Sequence, residues 1–472
     1  MPDTPVLIVG GGISGLATAW WLARDGIEVE LWEADDRPGG RIRSTRERGY
    51  LTERAAGLLV NFRPQVDQLI QQAGLAPRRH HRDGALNRYL VHHGRLVRVP
   101  MRLPAMALSP LWSRAAKLRL LREILVPRGG SDDESVARFV ERRLGREILE
   151  SAIEPFVAGT LASDPELASA RAVLPRLTAL ERRYGSITLG ILCNRLLKRR
   201  RVNQADTCSF RGGMETLVRT LADTPGVRLR TGVRAEGLEP IRGGWRVWGR
   251  SAGGQCRRDA AQLVLSTPAD AAAALLRPLD LPLAQLLLGI DYAPLAVLHL
   301  GMERSRIPHP LDGSGFLVPR RESLAFNGNL WMSSLFDDRA PPGQVLLTSY
   351  LGGARDPHRV EQSRERLTGD TLADLGRLLG ASGDPDYIRL ERHRRALPLY
   401  HGDHPARVAE IRQRLERSPG LHLCAGYLDG VSVRERIYQG LNTAGRIGHA
   451  LESGHRNWSI GAVPAAARPA GG

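Results

Sequence analysis

Val6-Leu7-Ile8-Val9-Gly10-Gly11-Gly12-Ile13-Ser14-Gly15 decides the fold. Its first four residues are an apolar run of strand composition, and its last six are a GxGxxG loop. Leu16 to Arg24 then reads as a helix, and Glu28-Val29-Glu30-Leu31-Trp32 as a second strand that ends at Glu33. Strand, glycine loop, helix, strand and acid follow one another as in a βαβ dinucleotide-binding unit. In this reading Gly10 allows the tight turn, Gly12 lets a pyrophosphate approach the backbone, and Gly15 lets the helix pack closely on the strand. The loop, with Gly11, Ile13 and Ser14, offers a phosphate free N–H groups and the positive end of a helix. Glu33 lies about 20 residues after the loop, where a carboxylate binds a ribose hydroxyl.

The segment after the acid narrows the choice of nucleotide. Arg37-Pro38-Gly39-Gly40-Arg41-Ile42-Arg43-Ser44 resembles the RxGGR extension of FAD-dependent amine oxidases, phytoene desaturases and protoporphyrinogen oxidases. The resemblance implies that Gly39, Gly40 and Arg41 lie against the diphosphate and flavin of FAD, so FAD rather than NAD is the expected cofactor.

A chain of 472 residues has room for two or three domains with their own cores. The formal charge of +17 points to an acidic partner: anionic lipid, nucleic acid or an acidic substrate. Genomic base-composition bias is the competing reading, since Lys117 and Lys198 are the only lysines and Ala, Gly and Pro abound. No RNP, zinc-finger or helix-turn-helix pattern supports nucleic acid. Cys193, Cys208, Cys256 and Cys424 are scattered, with no CxxC and no metal-ligand spacing, and read as small core residues in a reducing compartment. The histidine pairs His80-His81 and His92-His93 are adjacent rather than four apart, so solvated loop histidines are expected and a metal site is not. The first strand begins too early to leave room for a signal peptide, and no apolar run approaches the roughly 20 residues of a membrane-spanning helix.

Along the chain, residues 1–85, 205–290 and 415–455 read as a discontinuous nucleotide-binding domain. Residues 86–100 and 291–414 read as a mixed α+β substrate domain, 101–204 as a helical domain, and 456–472 as a disordered tail. The fold class is therefore α/β, with a Rossmann-like cofactor domain. Leu103 to Val126 reads as an amphipathic helix whose arginine-edged apolar face suits either a membrane interface or ordinary packing. Ser131-Asp132-Asp133-Glu134 reads as the N-cap of a helix over Ser135 to Leu144, and Arg146 to Val157 as another helix. Lys198-Arg199-Arg200-Arg201 reads as a solvated helix end. Val227 to Val233, Gly244 to Trp248 and Leu263 to Pro268 are strand candidates returning to the nucleotide domain, and Leu421 to Gly426 is the final strand.

With these pieces in order the chain resembles the oxygen-dependent, FAD-containing protoporphyrinogen oxidases, within the FAD-dependent amine oxidase superfamily. The specific segments are Glu154-Pro155-Phe156-Val157-Ala158-Gly159 through Asp164-Pro165, Leu335-Phe336-Asp337-Asp338-Arg339-Ala340-Pro341, Gly352-Gly353-Ala354-Arg355 and Leu397-Pro398-Leu399-Tyr400. The resemblance implies that Arg88 pairs with a substrate propionate. Leu317 and Leu330 would sandwich a tetrapyrrole, with Tyr350 (often Phe in the family) stacking on it and the Gly159 backbone lying close by. Toward FAD it adds Val233, whose backbone meets the adenine, and Gly426, Val431, Ser432 and Val433 beside the flavin. Tyr427 stands where the family usually has Asn.

The implied activity is oxidation of protoporphyrinogen IX to protoporphyrin IX, by three two-electron hydride transfers to a flavin that O2 or another acceptor reoxidises. No dedicated catalytic base is expected, because the cofactor carries the hard chemistry. Coproporphyrinogen III is the nearest rival substrate, and an amine or carotenoid oxidoreductase or a porphyrin carrier are further rivals. A cytoplasmic enzyme peripheral on the inner membrane face, a hand-off of product to ferrochelatase and a homodimer are compatible with the resemblance.

Overall fold

The computed structural model describes residues 3–81, 87–100, 108–129, 134–196 and 206–460. The apolar Thr4–Val9 strand is central in the first sheet, flanked by Val29–Trp32 and Gly254–Leu265, both parallel to it. Val227–Arg230 extends the sheet beyond Val29–Trp32. The long Gly254–Leu265 strand has two kinds of partner on its other side. Its first half pairs antiparallel with Gly244–Ser251, and residues 263–265 pair parallel with Leu421–Leu423. Alternate residues feed opposite cores, as the pleat requires. Val6 and Ile8 join Trp21 and Ile437 on one face, whereas Leu7 and Val9 join Leu275 and Leu287 on the other.

The first helix, Ile13–Arg24, lies against the last helix, Val433–Ile460. A Cβ on Gly440 would stand 2.9 Å from the Thr18 nitrogen, so only glycine admits this close approach. One on Gly448 would meet Ile27 at 3.8 Å, so the two helices run side by side in the same direction.

The second sheet runs in the order Tyr387–Pro398, Tyr292–Glu303, Gln344–Gly352, Gly328–Trp331, Gly313–Leu317, Asn87–His92, Arg95–Arg98. One face is a core of Tyr89, Leu298, Phe316, Trp331, Leu347 and Leu351, closed by Leu367, Leu375 and Leu379 of the Arg364–Leu379 helix. The helical region, 108–129 and 134–196, packs around Phe139, Val140 and Val157, with a second cluster at Trp112 and Ile148.

Several local expectations are corrected. Among the described residues of 103–126, helix is confined to Arg114–Leu121 and a 3-10 turn at Arg122–Leu125, apart from one helical residue at Leu108. Ser109 to Ser113 form a link, and 101–107 lie outside the described residues. The cap of the Val136–Leu144 helix is Ser135, whose hydroxyl accepts the Arg138 N–H; residues 131–133 of the expected cap lie outside the described residues. The 146–161 helix carries a π turn at Leu149–Ile153. The strand expected over Val227 to Val233 stops at Arg230. Tyr387–Pro398 is a strand that its charged sequence does not announce. The last helix continues to Ile460, through the start of the expected tail, and 461–472 and 198–201 lie outside the described residues. His80 is not a solvated loop residue: it is buried on the Arg79–His81 strand between Asp337 and Asp338.

Candidate functional site

The glycine loop has the shape a dinucleotide needs. Gly10 has φ +109°, and a Cβ there would press on the Ser266 carbonyl at 2.7 Å. A Cβ on Gly15 would lie 2.0 Å from the Gly10 oxygen, which is why the first helix can begin directly against the strand. Beside Gly12 nothing lies within 4 Å, so this face of the backbone is open. The helix has Gly12 as its cap with no side-chain hydrogen bond, and its leading N–H groups, from Ile13 to Gly15, are available to an anion. Gly39 and Gly40, both with positive φ, fold over this loop: the Gly39 N–H donates to the Gly11 carbonyl, and Gly40 lies against the Gly12 Cα.

Glu33 is buried at the end of its strand. One carboxylate oxygen accepts the Gly11 N–H at 2.7 Å and the other the Asp35 N–H at 2.9 Å. Val233 follows the Val227–Arg230 strand, and its N–H donates to the Glu33 carbonyl at 2.8 Å. Arg41 bonds the Arg395 carbonyl and lies by the Tyr292 ring. It is open to solvent yet ringed by protein, as a cleft residue is, and the surrounding bulk lowers its pKa from the ordinary value. Gly426, Val431, Ser432 and Val433 form the turn into the last helix, where the Ser432 hydroxyl accepts the Glu435 N–H. Tyr427 is buried, and its hydroxyl has no hydrogen-bond partner among the described residues. An open glycine cradle, an uncapped helix start and a buried acid are the donor set a dinucleotide cofactor requires, and FAD fits it.

The residues expected to meet a substrate share one face of the second sheet. Leu317 is opposite Gly328, which is opposite Tyr350, and Leu330 is opposite Thr348. Leu90 is paired with Leu317 from the neighbouring strand, so Arg88, two residues earlier, projects to the same side. Arg88, Leu317, Leu330 and Tyr350 thus line one surface, while Tyr89, Phe316 and Trp331 turn to the core. At one end this surface meets the helical region: a Cβ on Gly159 would overlap Leu317 at 2.4 Å. At the other end it meets the turn after Glu53, where the Tyr350 hydroxyl is 3.8 Å from the Cβ position of Gly57.

Two polar clusters hold this arrangement, and the sequence does not reveal their pairing. Glu53 is buried and accepts from the Ser44 hydroxyl at 2.7 Å, the Met214 N–H at 2.9 Å and Arg339 at 3.1 Å. Arg339 also donates to Ser209, and His299 lies 3.0 Å from the Glu53 carbonyl. Burial pushes the Glu53 carboxyl up to about 7 even though Arg339 opposes it, and burial holds His299 down at about 4. The second cluster joins the helical region to the sheet. Glu154 accepts from Arg355 and from the Arg320 N–H, Arg320 bonds Asp164, and the Ala354 N–H donates to the Ala162 carbonyl at 2.8 Å. The partners come from segments far apart in the chain. Separately, His80, Asp337 and Asp338 present their ligand atoms within 4.8 Å of one another, but Arg211 and Arg339 lie against the same carboxylates.

Residues 13–448 match the family model of flavin-containing amine oxidoreductases. The chain is 29% identical to the mitochondrial protoporphyrinogen oxidase of Nicotiana tabacum over 480 residues, covering 95% of each protein. It is 26% identical to the coproporphyrinogen III oxidase of Bacillus subtilis over 462 residues, covering 92% of this chain and 96% of that one. A crystal structure of an Exiguobacterium sp. protein shares the fold, with a TM-score of 0.77 and 24% identity across 96% of this chain and 100% of the other.

Proposed function

Because the chain belongs to the flavin-containing amine oxidoreductase family, we propose that this FAD-dependent oxidoreductase oxidises protoporphyrinogen IX to protoporphyrin IX. The observation that carries the reading is the single sheet face bearing Arg88, Leu317, Leu330 and Tyr350, which runs from Gly159 to the turn at Gly57. Its apolar middle suits a macrocycle, and the guanidinium at its edge suits a carboxylate, which it binds bidentately. When bound, the flavin supplies the two-electron acceptor for removal of hydrogen from the porphyrinogen's saturated bridging carbons. The protein's part is binding and orientation: Leu317 and Leu330 set the plane of the ring, Tyr350 its depth toward Gly57, and Arg88 anchors a carboxylate at the edge. The Tyr350 hydroxyl stays protonated, since burial and Glu53 both raise its pKa.

The Bacillus relative favours coproporphyrinogen III as the second reading. The test is to incubate the purified yellow protein in air with each porphyrinogen separately and follow porphyrin fluorescence. A higher kcat/KM for protoporphyrinogen IX supports the proposal, and a higher value for coproporphyrinogen III replaces it. No fluorescence above the autoxidation blank with either, with other acceptors supplied, removes both.

No helix among the described residues is long and apolar enough to cross a membrane. Leu108, Leu118, Leu121, Ile124 and Leu125 are exposed beside Arg114, Lys117, Arg119 and Arg122, which supports a peripheral contact with anionic lipid. Flotation with anionic liposomes should fall when Leu121 and Leu125 become Ser; equal flotation would remove this part of the proposal.

A further inference from the structure

Arg436 sits in the first turns of the last helix with its side chain buried, 4% exposed as a residue. Its Nε, Nη1 and Nη2 are all out of contact with solvent, and none has a hydrogen-bond partner among the described residues. The fold treats its other deeply buried arginines differently. Arg143 is held by Glu181, Glu123 and the Val126 and Gly185 carbonyls, and Arg339 by Glu53 and Ser209. Glu435, next to Arg436 in the chain, is engaged with Arg63 and Arg434; Asp429 and Asp270, which act with Arg436 on the buried Tyr400 and Tyr427, are engaged with Arg412 and Arg395. A guanidinium removed from water without an anion is strongly unfavourable, so this position calls for one.

Its location says which. The Arg436 Cδ is 3.9 Å from the Cβ position of Gly426. Gly440, one turn further along, packs on Ala17 and Thr18, and the two helices run in the same direction. Arg436 is therefore level with the first turn of the opening helix, where the uncapped N–H groups of Ile13 to Gly15 await phosphate. We infer that Arg436 is a buried counter-ion for the negative charge of bound FAD, a positioning residue that completes the cofactor site from the C-terminal side. This rests on the FAD reading of the chain.

The test titrates apoprotein with FAD by fluorescence quenching, for the wild type, Arg436→Met and Arg436→Lys, and melts each apoprotein. The Met variant should bind FAD at least about tenfold more weakly, as loss of a charge-assisted contact predicts, and Lys should restore most of that loss. The Met apoprotein should melt no lower than the wild type, because it exchanges an unpaired buried charge for an apolar side chain of similar size. In the variants that still hold FAD, a lowered midpoint potential places the charge at the flavin ring, and an unchanged one at the diphosphate. FAD affinity within twofold of wild type in the Met variant would overturn the inference. So would a Met apoprotein that melts lower or fails to fold, or a loss of affinity that Lys does not recover, since each means the guanidinium serves the protein itself. No porphyrinogen enters these measurements. A wild-type apoprotein that does not bind FAD would fail the cofactor reading instead.

Discussion

The proposed cofactor crevice and the proposed substrate face are built from different materials. The crevice is mostly backbone: glycines at positive φ, helix-start N–H groups and one acid, supplied largely by residues 10–15 and 33–41. The proposed substrate face is side chains, drawn from four strands whose residues 88, 317, 330 and 350 meet through sheet register. A backbone site tolerates almost no change where it is crowded, whereas a side-chain face can be altered residue by residue. The same fold can therefore keep one cofactor while its substrate changes.

The sharpest break in the comparison is Gly15→Val. The added carbons have nowhere to go against the Gly10 carbonyl, so the loop must open. Destabilisation of about 5 kcal/mol and a colourless purified protein are expected, read from denaturant unfolding and the flavin absorbance. A yellow, stable variant would show that the crevice is softer than its geometry. Glu154→Ala strikes the other half. It strands Arg355, and about 4 kcal/mol of stability should be lost while FAD is retained. Loss of FAD in this variant would mean that the two halves are not independent.

Glu53 lies where the halves meet, and its effect depends on pH. Its folded pKa of about 7 stands above the ordinary value of 4.5, so the folded state holds the proton more tightly than the unfolded one. That contribution is complete below pH 4.5 and is lost as pH rises through about 7, an effect of about 3 kcal/mol at most. Unfolding measured from pH 4.5 to 8 should show this slope in the wild type and a flatter one in Glu53→Gln. The smallest effect belongs to Arg88→Ala. KM for the porphyrinogen should rise about tenfold, about 1.4 kcal/mol, with kcat and FAD content unchanged. A fall in kcat alone would move Arg88 from binding to orientation.

The contrast also explains what could be read before any coordinates. The βαβ unit was legible because its parts are contiguous and each glycine has a local steric reason. The substrate face was reached only through resemblance: nothing in the residues around Leu317 or Leu330 distinguishes a pocket wall from a core strand. The structure places Leu317, Leu330 and Tyr350 on neighbouring strands close in sequence, and Arg88 joins them only through the pairing of Leu90 with the distant Leu317. The Glu53–Arg339 and Glu154–Arg355 pairs were invisible because their partners stand 286 and 201 positions apart in the chain. Tyr387–Pro398 was missed because its pattern of Arg and Glu residues masks the apolar alternation of a strand. The long helix expected within 103–126 failed because composition alone does not fix where a helix stops.

The double role of the Gly254–Leu265 strand bears on how the protein is made. Its second half gains its outer neighbour only when Leu421–Leu423 arrives, and the last helix follows that strand after the short Gly426–Asp429 helix. A chain emerging from the ribosome N-terminus first therefore carries a glycine loop with half its walls missing until nearly the whole sequence has been synthesised. Cofactor capture is consequently a late event in biogenesis, and truncation shortly before residue 421 should leave a nascent chain that cannot hold flavin despite an intact N-terminal motif.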